Sequence, residues 1–262
     1  MASKKTEKET KTVKKISPFK DWMEFEKEIR DFSNKYKTTV INQAKRTSDY
    51  FEMSCFNYIV KFYELNGYEL EATNLQAGRR YKYKCSPAGI QSNFSHFEAT
   101  FDTGTEKITF EIQHNLAVQS SHDKNIFTSP DIAIINKDKI QYTKNYYDTK
   151  TTFSFVNNND LMSFCEVKQF TPFPELLFNF IGVLNELKKE YMIDNGVSHT
   201  PIHIAPSLMI SGKSNKQTDN IKSSIEKRYC VNILFDLFYS STYTFSKGNI
   251  KKLRKTGKKP TN

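Results

Sequence analysis

The hydrophobic period of this chain changes in mid-sequence, from three-to-four residues to two, and that change restricts its fold more than any other feature. Trp22, Phe25, Ile29, Phe32 and Tyr36 recur at three- and four-residue steps and predict an amphipathic helix over 19–44. A second helix is expected behind Thr47 or Ser48 as its cap. Its stripe is Phe51, Cys55, Tyr58/Ile59, Phe62 and Leu65, and it stops at Asn66-Gly67. From there the alternation is strand-like. Strands are expected at 68–75 and 81–85, as a hairpin of 94–101 and 107–118 around Asp102-Thr103-Gly104-Thr105, and at 131–136. The Lys-, Asn-, Tyr- and Thr-rich stretch 137–160 reads as an excursion with its own hairpin around 151–156, before the chain returns to a strand at 161–169.

A helix follows from Pro174, with the stripe Leu177, Phe180/Ile181, Leu184, Leu187 and Tyr191. Then come a strand at 202–211, a helix at 218–228 and a strand at 229–235. Strands interleaved with helices predict an α/β fold: a mixed central sheet flanked by helices, with an N-terminal helical segment at 17–46.

A chain of 262 residues fits one domain, and 21 Phe with 14 Tyr supply ample surface for a core. The net charge of +10 is concentrated at the ends. Residues 1–16 carry six lysines against two glutamates, and 247–262 carry seven cations and no acid, so the span between them is close to neutral. The expected division is a basic flexible tail at 1–16, one domain at 17–246 with its core at 47–235, and a second basic tail at 247–262. Such tails either engage nucleic-acid phosphate or are simply solvated, and both readings stay open. No apolar run reaches the roughly 18 residues of a membrane span, and no apolar segment follows the basic N-terminus as in a secretory signal. The expectation is a soluble, cytoplasmic protein with no membrane partner. Cys55, Cys85, Cys165 and Cys230 form no Cys-x-x-Cys pair and read as reduced thiols within the fold.

Two strand segments carry acid in apolar surroundings. Asp131 opens the run Ile132, Ala133, Ile134, Ile135. In 161–169, alternation puts Phe164, Glu166 and Lys168 on one face and Cys165 and Val167 on the other. A glutamate and a lysine inside an apolar strand cost several kcal/mol unless they are paired, line a cleft or bind an ion. Glu-x-Lys also occurs at Glu9/Lys11, in the tail, and at Glu186/Lys188, expected on a solvated helix face. Only Glu166/Lys168 lies on a strand downstream of Pro130-Asp131, the single Pro-Asp of the chain.

At these residues the sequence resembles the PD-(D/E)XK nuclease superfamily, over roughly 47–235. The resemblance implies a restriction-endonuclease-like core and hydrolysis of DNA phosphodiester bonds, in restriction or anti-phage defence, transposition or repair. It implies Asp131 and Glu166 as ligands of Mg²⁺ or Mn²⁺, joined by the backbone carbonyl of Val167. Lys168 would position or help deprotonate the attacking water, with Gln169 beside it. The helix acid Glu52 would face the metal; the alternative is a first-turn acid favoured by the helix dipole. His114, which shares a face with Phe110 and Ile112, is a further candidate ligand and otherwise a core histidine, and Glu111 is another candidate acid. The 34 residues between Asp131 and Glu166 exceed what a hairpin needs, so 137–160 is expected to be an insertion between adjacent strands.

RNA stays open as the substrate, and a homodimer or partner subunits would supply the two active sites that duplex cutting needs. The competing readings are a nuclease-fold binding module without turnover and a basic-tailed scaffold. No phosphate-binding glycine loop or nucleophile elbow supports an NTPase or a serine hydrolase.

Overall fold

The computed structural model describes residues 22–40, 46–146, 151–193, 201–237 and 247–257. Its centre is a helix with apolar residues on every side. In α2 (Thr47–Leu65), 13 of 19 residues are buried, so the helix must be covered all round. One covering is α1 (Trp22–Lys35), which contributes Phe25 and Ile29. The other is a seven-stranded sheet of β1 (Glu69–Thr73), β2 (His96–Asp102), β3 (Lys107–His114), β4 (Ile132–Asn136), β5 (Leu161–Lys168), β6 (Ser207–Ile210) and β7 (Asn232–Leu234). The strands lie side by side in chain order. Neighbours from β1 to β5 are antiparallel, and β5, β6 and β7 run parallel.

The parallel connections carry α3 (Pro174–Leu187) and α4 (Lys216–Arg228), which cover the opposite face of the sheet. Alternation divides each strand between the two layers. Ile132, Ile134, Cys165 and Val167 pack with α1 and α2, whereas Ala133, Ile135 and Phe164 pack with Leu177, Phe180 and Leu184 of α3. The expected mixed sheet flanked by helices is present. Among the described residues, no helix is long and apolar enough to cross a membrane.

Several expected boundaries move. The first helix ends at Lys35, not near 44: Lys37 takes a left-handed conformation (φ 53°), and Thr39–Val40 pair in parallel with Arg80–Tyr81. Of the strand expected at 81–85, only its start is paired. The strand expected over 107–118 breaks at Asn115 (φ 46°), whose side-chain amide donates to the Lys84 carbonyl at 2.8 Å. Beyond the break, Ala117–Gln119 join a second sheet with Phe127–Thr128, Phe153–Val156 and Gln141–Thr143. The insertion therefore carries strands within its described residues, 137–146 and 151–160. Pro206, which has no N–H, divides the strand expected at 202–211 into His203–Ile204 and β6.

The segment 247–262, expected as a basic tail, carries regular structure over 247–257. The short helix α5 (Lys247–Lys251) buries Ile250, Leu253 is buried behind it, and Lys255–Thr256 pair with His203–Ile204. Two apolar side chains among the lysines outweigh the charge of the segment. The tail 1–16, and Glu9 and Lys11 with it, lies outside the described residues. Glu186 and Lys188 do not form a solvated face: Glu186 accepts from Ser120 Oγ at 2.6 Å, and Lys188 is buried. The Cys55, Cys85, Cys165 and Cys230 thiols are free, the first and third fully buried.

Candidate active site

Asp131 immediately precedes β4, where the ladder between β4 and β5 ends at Ile132 opposite Cys165. Its backbone carbonyl accepts from Asn115 N at 3.0 Å, which fixes the turn into the strand. Its carboxylate continues the work of the ladder: Oδ2 accepts the Val167 N–H at 2.6 Å and the Lys168 ammonium at 2.9 Å. Lys168 Nζ also lies 2.7 Å from Glu166 Oε2. Two adjacent antiparallel strands thus bring Asp131, Glu166 and Lys168 into one cluster across the insertion.

The cluster is mostly out of water. Side-chain exposures are 15% for Asp131, 11% for Glu166 and 30% for Lys168, so the ammonium is the most accessible member. Burial, reinforced by the charge of Asp131, pushes the Glu166 carboxyl above its ordinary range despite the neighbouring ammonium. Burial works against the Lys168 ammonium, but the charges and hydrogen bonds of Glu166 and Asp131 outweigh it and hold its pKa above the usual lysine value.

Glu52 joins the cluster electrostatically from α2. Burial first, then the charges of Asp131 and Asp49, push its carboxyl up to about 7, while Lys168 and Arg46 pull the other way. It does not serve as a first-turn acid. That place belongs to Asp49, whose carboxylate accepts from the Arg46 backbone N–H at 3.0 Å and from the Arg46 guanidinium at 3.0 and 3.1 Å. Arg46 is the cap residue, and Thr47 and Ser48 are already helical. Neither Arg46 nor Asp49 was singled out from sequence. Asp49 lies three residues after Arg46, but arginine is not a favoured cap residue, so the spacing gave no signal in the sequence.

The other candidates are dispersed. Gln169 is half-buried just past the end of β5. Val167 brings its N–H to the cluster. The His114 ring is buried against Phe56, edge to face with centroids 4.0 Å apart, and beside Tyr83. Burial there lowers its pKa to about 3. That makes it a core histidine. Glu111 is taken up by Gln113 Nε2 at 2.7 Å and Asp138 N at 2.8 Å.

Three carboxylates against one ammonium leave the cluster short of positive charge, and hard oxygen donors suit a hard divalent cation. In the geometry described, the ammonium spans the gap between Asp131 and Glu166. Among the described residues, no group of three or more His, Cys, Asp or Glu side chains is arranged as a ligand shell. A cation there would have to draw Lys168 away from at least one carboxylate. No protein-family model, curated protein or solved structure matches the chain.

Proposed function

We propose that this chain is a divalent-cation-dependent nuclease of the PD-(D/E)XK type, with a restriction-endonuclease-like core that hydrolyses DNA phosphodiester bonds. The observation that carries the reading is the convergence of Asp131, Glu166 and Lys168 at 2.7–2.9 Å from neighbouring strands, with Glu52 electrostatically coupled to them from the central helix. A structural ion pair needs one acid per base. An excess of buried carboxylate fits a site built for a further cation.

Asp131 and Glu166 would hold Mg²⁺ or Mn²⁺, with Glu52 as a third acid. When bound, the cation supplies Lewis-acid polarisation of the phosphate and of a coordinated water. Asp131, fixed by the Val167 N–H, orients its remaining oxygen without rearrangement. Lys168 carries its proton at neutral pH, so its part is to donate hydrogen bonds to the attacking water or a phosphate oxygen and to offset charge in the transition state. The biological setting proposed is defence, transposition or repair.

One observation favours a second reading. The Asp131–Lys168–Glu166 bridge is closed, as in a nuclease-fold module that binds nucleic acid without cutting it. Incubating the protein with supercoiled, linear and single-stranded DNA, in Mg²⁺, Mn²⁺ or EDTA, separates the two. Cleavage is expected only with the metals and is lost in Asp131→Asn, Glu166→Gln and Lys168→Met. Mg²⁺ should also raise the melting temperature of the wild type but not of Asp131→Asn. Binding without cleavage, and a melt indifferent to metal, would leave the non-cutting module. Degradation of RNA alone would overturn DNA as the substrate.

A further inference from the structure

We infer that Phe170 is a stacking platform for an unpaired nucleobase beside the carboxylate cluster, which makes single-stranded DNA the preferred substrate. This rests on the nuclease reading and specifies its substrate class.

Phe170 stands two residues beyond Lys168 and is 58% exposed. The loop that carries it is held firmly. Ser211 N donates to the Lys168 carbonyl at 3.2 Å, and Gly212 N donates to the Phe170 carbonyl at 3.0 Å. A Cβ at Gly212 would fall 2.3 Å from the Phe170 carbonyl oxygen and 2.6 Å from Thr171 Cα, so only glycine permits this approach. Pro172 is buried, and Phe173, at the start of α3, is a second exposed aromatic at 44%. Lys213, next to Gly212, is exposed and supplies a cation for a phosphate.

A solvent-facing aromatic ring on a backbone held in place offers an open apolar face to a planar partner. Bases stack on such rings irrespective of sequence, and a cation alongside completes a single-strand site. In a duplex, neighbouring pairs already cover the faces of each base, so only an unpaired or extruded base can use the ring. Position argues against a second copy of this chain as the occupant. Phe170 follows Lys168 by only two residues, so a nucleotide flanking a phosphate at Lys168 would be within reach of the ring, whereas a second copy seated there would crowd the cluster.

The test uses oligonucleotides carrying the fluorescent base 2-aminopurine at successive positions, bound in EDTA so that nothing is cut. Wild type should quench the fluorescence at one or two adjacent positions in single strands. Phe170→Ala and Phe170→Leu should remove the quench and weaken single-strand affinity about 10-fold, with duplex affinity changed less than about twofold. Phe170→Tyr should retain both. If Leu behaves as wild type, if single strand and duplex weaken equally, or if Phe170→Ala dissociates a dimer without changing the quench, the inference is overturned. Quenching without any metal-dependent cleavage would defeat the nuclease reading alone. Cleavage that is indifferent to Phe170 would defeat this inference alone, and failure to bind either form of DNA would defeat both.

Discussion

Lys84 is the residue most at odds with its surroundings. It is almost fully buried, and its ammonium donates to neutral oxygens, Gln91 Oε1 at 2.8 Å and the Asn115 carbonyl at 2.9 Å. Gln91 passes the polarisation to Gln113 at 2.8 Å, and Gln113 passes it to Glu111 at 2.7 Å, so two amides separate the cation from a carboxylate. Burial pushes the Lys84 pKa from 10.5 down to about 8. Below 8 the folded and unfolded chains both carry the proton, and the cost of burial is constant. Between 8 and 10.5 the unfolded chain holds a proton that the folded one has released, so this group makes stability rise with pH. Relative to Lys84→Met, wild type should gain about 3 kcal/mol across that window, read from denaturant midpoints at successive pH values. Parallel curves for the two proteins would mean that the ammonium is solvated. Nothing local pointed to Lys84 or Gln91, because their partners lie on other segments.

Among the elements, α2 matters most, since it carries Glu52 and fills the layer beneath the sheet. Its start depends on Asp49, which satisfies the Arg46 N–H and holds the guanidinium. Asp49→Ala should cost about 1–2 kcal/mol of stability, seen as a lower melting temperature. An unchanged melt would mean that tertiary packing alone fixes the helix start. The helices and most strands were legible from period and turn residues, because a buried stripe must repeat with its element. Boundaries were legible only where a residue enforces them locally, as Gly67 does at the end of α2 with φ 90°. Apolar spacing continues past Lys35 and carries no stop for the first helix, whose end is set by the pairing of Thr39–Val40 with Arg80–Tyr81.

At the scale of the whole molecule, the C-terminal segment closes the fold. Removing 247–262 strips Ile250 and Leu253 from the core and unpairs His203–Ile204. At roughly 1.5–3 kcal/mol for each of the two buried side chains, the loss should be about 3–6 kcal/mol. A truncated chain should therefore unfold at distinctly lower denaturant; an unshifted midpoint would return the segment to a solvated tail. Its charge said tail because seven cations dominate the composition, and only the structure shows two apolar side chains among them reaching the core. By itself, the sequence determined the element types and the mixed sheet between helices, because periodicity is a local property, and the Pro-Asp and Glu-x-Lys spelling that resembles the nuclease motif singled out Asp131, Glu166 and Lys168. Tertiary structure alone decided that Asp131 caps the Val167 N–H and that Lys168 bridges two acids. It also decided that Asp49, not Glu52, serves the helix start, that His114 belongs to the core, and that Gly212 fixes Phe170 in solvent. Each of these depends on which distant segment comes to lie alongside, and strand pairing, not spacing along the chain, sets that distance.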